Sequence, residues 1–134
     1  MGINHVTILV ADKNRSRDFY VTRLGFGEHM VGGRHWVKVG KDQFIHLTDD
    51  SGQTVAGTFY HFAIEIDGLR GYLTGLIEKG IDVFDLDKQR TVISFNTNLD
   101  DTQRQFFIRD PDGHLVEFVD AKADFFHPRQ ASPF

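Results

Sequence analysis

The stretch YHFAIEI, residues 60–66, repeats the pattern of NHVTILV, residues 4–10, and this repeat decides the fold. A second pair of segments follows in the same order, with FIHLTD at 44–49 and LVEFVD at 115–120. Segments of this length, rich in β-branched and aromatic residues, are typical of strands. The chain therefore predicts two modules of one kind, in which His5 is equivalent to His61 and His46 to Glu117.

Each module is predicted to contain a strand, a helix and three further strands. Asp12 is typical of a helix N-cap, and the helix that follows should run to Leu24 before Gly25. We expect Asp67 to cap the second helix, which ends at Gly80. The pattern predicts an α+β fold of two βαβββ modules in a single domain, 1–134. The modules span about 2–50 and about 58–120, followed by a C-terminal tail at 121–134.

The composition excludes several classes of function. The net charge of −4 and the lack of a basic run argue against a nucleic-acid partner. The chain has no cysteine, which excludes disulfides, thiolate metal ligands and a cysteine nucleophile. No apolar run is long enough for a membrane span, and the N-terminus lacks the features of a signal peptide. We therefore expect a cytoplasmic protein without a membrane partner.

Four titratable residues occupy equivalent places on the predicted strands: His5, His46, His61 and Glu117. Because strands alternate faces, each lies on a mixed face opposite an apolar one. A single histidine on a strand is more often structural, but four at equivalent positions favour a shared metal site. Imidazole and carboxylate suit zinc, nickel, cobalt, manganese or iron. We expect one divalent metal per site with these four residues as ligands.

The remaining histidines lack this equivalence. We expect surface or loop positions for His29, His35, His114 and His127. The role of the polar segment 85–103 stays open.

Three segments, NHVTILVAD…SRDFYVTRLGF, YHFAIEI and FFIRDPDGHLVEF, resemble the vicinal oxygen chelate superfamily. That superfamily includes glyoxalase I, extradiol dioxygenases, fosfomycin resistance enzymes and bleomycin-binding proteins. The resemblance covers about residues 2–120. It implies that the paired modules form a cup-shaped mixed sheet around a divalent metal. His5, His61 and Glu117 match the three usual ligand positions, and His46 matches the fourth position that glyoxalase I uses.

The resemblance implies a glyoxalase I-like lyase or isomerase acting on a small substrate that chelates the metal through adjacent oxygens. Glu117 and His46 are the expected catalytic residues, with Glu117 moving a proton between adjacent carbons. Strand parity or placement suggests four substrate-binding residues: Thr7, Trp36, Glu65 and Phe107. Modules of two chains often pair in this superfamily, so we also expect a homodimer.

Three alternatives stay open. An iron-dependent extradiol dioxygenase would use His46 as an acid/base, although Phe107 stands where those enzymes have a tyrosine. A fosfomycin-resistance-type transferase would carry a serine and a tyrosine in the strand that here reads QFFIR. A non-catalytic small-molecule binding protein would not need the metal ligands.

Overall fold

A computed structural model describes residues 1–49, 58–86, 93–95 and 104–122. Within those ranges, no helix is long and apolar enough to cross a membrane. The chain divides into two compact units. The first comprises Met1–Phe62 and Arg109–Leu115, and the second comprises Ala63–Ile108 and Val116–Phe134.

The first unit contains the elements predicted for the first module. They are β1 (His5–Val10), α1 (Lys13–Arg17) with its π-helical continuation (Asp18–Arg23), β2 (Gly27–Val31), β3 (Arg34–Lys38) and β4 (Phe44–Asp49). The sheet order is β1-β4-β3-β2. β1 runs parallel to β4, and the other two pairs are antiparallel. The βαβββ order predicted for this module is confirmed.

The second sheet has one strand more than predicted. Its module contains β5 (His61–Ile66), α2 (Leu69–Glu78), β6 (Phe84–Leu86), β7 (Ile93–Phe95), β8 (Gln105–Arg109) and β9 (Leu115–Asp120), and the sheet order is β5-β9-β8-β6-β7. The short β7 pairs antiparallel with β6 and lies inside the polar segment 85–103. Residues 87–92 and 96–103 of that segment lie outside the described ranges. The predicted cup around a metal stays a prediction.

The two helices begin differently. Asp12 caps α1 as predicted, because its Oδ1 accepts the N–H groups of Asn14 at 2.9 Å and Arg15 at 3.2 Å. The predicted cap at Asp67 is wrong. α2 begins after Gly68, which adopts a left-handed conformation with φ 67° and makes no side-chain cap bond. Glycine adopts this conformation without steric cost, so the chain turns one residue later than the sequence suggests.

The first helix keeps its predicted apolar face but widens into a π-helical turn. Phe19, Tyr20 and Leu24 are all buried, and the N–H of Leu24 donates to Phe19 O, five residues back. Adjacent residues lie about 100° apart around an α-helix. The wider π-turn reduces that angle, so Phe19 and Tyr20 can both face the core.

The core of the first unit lies between its sheet and α1. The inward residues of β1, β3 and β4 are buried: Ile8, Val10, Val37, Ile45 and Leu47. α1 contacts β3 and β4 on this side. Because strand residues alternate, every second residue of these strands is left for the opposite face.

Candidate functional site

The face of the first sheet opposite its buried core carries half of the predicted site residues. Thr7 is paired with His46, His46 with Trp36, and Trp36 with His29, so one row crosses all four strands. We call the outward residues of β1–β4 the open face. They are His5, Thr7, Leu9, Gly27, His29, Val31, Arg34, Trp36, Lys38, Phe44, His46 and Thr48. Each of them is exposed or half-buried.

Five aromatic and imidazole rings on the open face form one connected group, which we call the ring cluster. Trp36 stacks on His46 with ring centroids 4.1 Å apart and planes 5° from parallel. The centroids of His5 and Phe44 lie 4.8 Å and 6.1 Å from that of Trp36, both edge to face. His29 completes the cluster, with its ring centroid 5.1 Å from that of Phe44.

Two of the predicted metal ligands lie within the ring cluster. The ring centroids of His5 and His46 are 6.3 Å apart, with planes at 77°. Burial lowers the pKa of His46 below its ordinary value, and the charges of His5, Arg34 and Lys13 lower it further. A lowered pKa favours the neutral imidazole, which is the form that binds metal ions.

The hydrogen bonds of His5 and His61 determine their tautomers. The Nδ1–H of His61 donates to Phe59 O at 2.8 Å, and the Nδ1–H of His5 donates to Asn4 Oδ1 at 2.8 Å. These carbonyl and amide oxygens can only accept, so the proton resides on Nδ1. In the neutral ring, Nε2 then carries the lone pair. Metal-ligating histidines usually donate their other ring N–H to such an oxygen.

The other predicted site residues lie on strands of the second sheet. Glu117 is buried in β9, with 8% of its surface exposed. Phe107 is buried in β8, where it is in register with Phe84 of β6. Glu65 is exposed on β5. Their catalytic or pocket roles stay predictions.

The structure brings His5 and His46 together with Trp36. It does not assemble the four-ligand set: in the described part of the chain, no group of three or more histidines and carboxylates is placed to hold a metal ion. The donor chemistry nevertheless fits a divalent ion, because the tautomers of His5 and His61 present Nε2 as the coordinating atom.

The surface or loop position expected for His114 is wrong. The residue is buried, and its Nε2–H donates to Leu9 O at 2.7 Å. His29 is exposed on the edge strand β2, and His35 is half-buried on β3. His127 lies outside the described residues.

The turn between β8 and β9 is organised by Asp110. Proline as the second residue and glycine as the fourth predict a tight turn at Asp110–Gly113. The N–H of Gly113 donates to Asp110 O at 2.9 Å, which confirms this turn. Asp110 Oδ1 accepts the N–H groups of Asp112 at 3.0 Å and His114 at 2.8 Å, while Oδ2 accepts the Tyr20 hydroxyl at 2.9 Å. Burial raises the pKa of Asp110 above its ordinary value, although His114 and Tyr20 act in the opposite direction.

The same turn also binds the start of α1. Asp112 Oδ1 accepts the N–H of Ala11 at 3.0 Å and Arg15 Nη2 at 3.1 Å. Its Oδ2 accepts the Ser16 hydroxyl at 3.3 Å. The DPDGH motif therefore has a structural role that sequence reasoning recognised only as a turn.

The family assignment follows from comparison with known proteins. The family model described as Glyoxalase/Bleomycin resistance protein/Dioxygenase superfamily matches residues 2–118. The chain belongs to this superfamily. No curated protein sequence matches the chain.

Several solved structures are similar in fold to this chain. A protein assigned to the glyoxalase family from Bacillus anthracis is 25% identical over 90% of this chain and 94% of its own, with a TM-score of 0.70. Oxidase ChaP-H1 is 22% identical over 90% and 95%, with a TM-score of 0.67. TnmS3, an antibiotic-binding protein from Streptomyces sp. CB03234, is 20% identical over 90% and 95%, with a TM-score of 0.62. The fold therefore occurs in proteins with different functions.

Proposed function

We propose that this superfamily member is a divalent-metal-dependent, glyoxalase I-like lyase or isomerase acting on a small substrate with two adjacent oxygens. The observation that supports the proposal most is the tautomer shared by His5 and His61, which presents Nε2 for coordination. The proximity of His46 to His5 on the open face adds a further imidazole.

Four residues would hold the ion: His5, His46, His61 and Glu117. A bound divalent ion stabilises negative charge that develops on substrate oxygens. Glu117 would take a proton from one carbon and return it to the neighbouring one. Its burial in β9 keeps bulk water away from the carboxylate. Thr7, Trp36, Glu65 and Phe107 would contact the substrate.

Metal content per chain, measured beside turnover of hemithioacetals, tests the proposal. His46→Gln keeps a neutral donor and should retain part of the metal and part of the turnover. Glu117→Gln keeps the shape of the side chain but loses the base, so turnover should fall about 100-fold to 10,000-fold even in metal-loaded protein. Full metal occupancy with wild-type turnover in both variants would exclude these roles.

The metal that copurifies separates the isomerase from the dioxygenase alternative. Nickel, cobalt or zinc agrees with isomerase chemistry. Tightly held iron, together with turnover of catechols under oxygen, would replace the proposal with a ring-cleaving dioxygenase. In that case His46→Gln should keep its iron and lose turnover, because His46 would then act as an acid/base.

A non-catalytic binding protein is the second candidate, and the ring cluster favours it. Stacked rings bind flat apolar ligands without any metal, and one structural neighbour is described as an antibiotic-binding protein. Purified protein that binds no divalent ion, yet retains a small molecule from its source, would support this candidate over the enzyme.

We also propose that the protein is a homodimer. Outside the open face, several large apolar side chains are at least half exposed in the single chain: Ile3, Met30, Phe59 and Tyr60. A stable interface buries roughly 1,000 Å² or more, which such residues could supply. Sedimentation velocity at micromolar concentration should give a dimer, and a purely monomeric boundary would contradict the proposal.

A further inference from the structure

The open face has a charge pattern opposite to that of the whole chain. The chain has 19 acidic residues against 15 lysines and arginines. The twelve residues of the open face, all within the described ranges, include Arg34 and Lys38 and no carboxylate. Within that part of the chain, neither cation forms a salt bridge. The face therefore carries positive charge that no carboxylate on the same face of its own strands balances.

The carboxylates of the same strands lie on the other face, where they are paired. Glu28 of β2 accepts two bonds from Arg17, at 2.7 and 2.8 Å. Asp49 of β4 lies 3.4 Å from Lys13 Nζ. Strand alternation thus separates the paired carboxylates on the helix side from the two cations, Arg34 and Lys38, on the open side.

The two cations flank the centre of the ring cluster. Arg34 precedes Trp36 by two residues and Lys38 follows it by two, all on one face of β3. Two residues of a strand span about 6.8 Å, which is close to the length of two fused aromatic rings. A flat molecule lying on the ring cluster would therefore place a substituent beside one of the two cations.

The indole N–H of Trp36 is a hydrogen-bond donor that the described residues leave unsatisfied. Its Nε1 is buried and finds no hydrogen-bond acceptor among the described residues. A buried donor without an acceptor costs about 1–3 kcal/mol. Because this atom is closed to solvent, an oxygen of a bound molecule would accept the bond only after the indole turns outward, and an anionic oxygen accepts such a bond more strongly than a neutral one.

We propose that the open face binds a flat aromatic or conjugated anion. Its rings lie against the ring cluster, and its anionic group lies beside Arg34 or Lys38. This names the substrate class of the site and rests on the proposed function only for the chemistry that would follow binding. The binding itself requires no metal.

Three naphthalene probes of equal size test the charge preference in metal-free buffer. They are 2-naphthoate, 2-naphthylmethanol and 2-naphthylmethylamine. Trp36 is the only tryptophan of the chain, so quenching of its fluorescence reports binding at the cluster. We expect the anion to bind at least tenfold more tightly than the alcohol, and the amine to bind most weakly. Equal binding of the three probes, or no binding of the anion, would overturn the proposal.

A pair of matched variants identifies the cations responsible. Arg34→Gln with Lys38→Gln should abolish the preference for the anion. Lys41→Gln with Lys122→Gln removes the same charge from exposed positions elsewhere and should leave the preference intact. An equal effect of both pairs would show that only net charge matters and would overturn the proposal.

The outcome of the probe experiment does not depend on whether the proposed metal site exists. Loss of nickel binding would defeat the proposed enzyme and leave the anion preference standing. Nickel binding without an anion preference would defeat this inference and leave the proposed enzyme standing. A second copy of the chain covering the open face would block naphthoate and so defeat the inference.

Discussion

The turn at Asp110–His114 and the open face use polar side chains in opposite ways. In the turn, both carboxylate oxygens of Asp110 accept hydrogen bonds, and His114 donates to the backbone. On the open face, Trp36 Nε1 is buried without an acceptor in the described chain, and His46 packs ring to ring. Unsatisfied buried polar groups cost free energy. The difference indicates that the turn stabilises the fold, whereas the open face is suited to a ligand.

Removing the Asp110 side chain should have the largest effect on stability. Asp110→Ala leaves the Tyr20 hydroxyl and two backbone N–H groups without their acceptor, at a cost of about 3 kcal/mol or more. Urea unfolding gives the change in free energy. His46→Ala is the matched variant on the open face, and it should cost less than about 1 kcal/mol in metal-free protein. Equal losses would remove the distinction between the two regions.

Divalent metal should stabilise the protein through the open-face histidines and their predicted partners. An ion bound only by the folded state at 100 times its Kd adds about 2.7 kcal/mol to the free energy of unfolding. His61→Ala should lose most of this gain, because it removes a predicted ligand. His29→Ala removes an exposed histidine that is not a predicted ligand, so this variant should keep the metal-dependent gain in stability. Identical melting of wild type with nickel and with chelator would exclude the metal site.

Local sequence patterns predicted the features that local chemistry decides. Asp12, Gly25 and the Asp110–Gly113 turn act over a few residues, and strand alternation placed His5 and His46 on one face. The role of His114 was missed because its acceptor, Leu9 O, lies 105 residues away in the chain. A pattern of neighbouring residues cannot predict a bond between residues so far apart in the chain.

The ring cluster could not be predicted from the sequence for a related reason. Trp36 and His46 stack because β3 pairs with β4 in one particular register. A shift by one residue would place Trp36 on the helix side. Strand parity identified candidates on each strand, but only the pairing between strands determined which rings touch.

The pH dependence of stability should differ in sign between the two regions, beginning with the turn. Burial raises the pKa of Asp110 above its ordinary value of 3.8 in the folded protein. Its stabilising contribution is therefore complete below 3.8 and is lost as the pH rises through the folded-state pKa. Wild type should gain stability relative to Asp110→Asn as the pH falls from neutral toward about 4. Urea unfolding of both proteins at several pH values measures this difference, and a difference independent of pH would contradict it.

His46 should give the opposite and smaller dependence in metal-free protein. Its pKa is lowered from 6.5 in the folded state, chiefly by burial. The folded protein therefore binds this proton less tightly than the unfolded chain, and the contribution of His46 is complete above 6.5 and is lost as the pH falls. Wild type should lose stability relative to His46→Gln between about pH 7 and pH 5, over much of the same range in which it gains stability relative to Asp110→Asn. The effect is smaller because His46 is only half-buried, so water screens its neighbours. Two differences with the same sign would mean that the imidazole of His46 is not held in its neutral form, which is the form that binds metal ions.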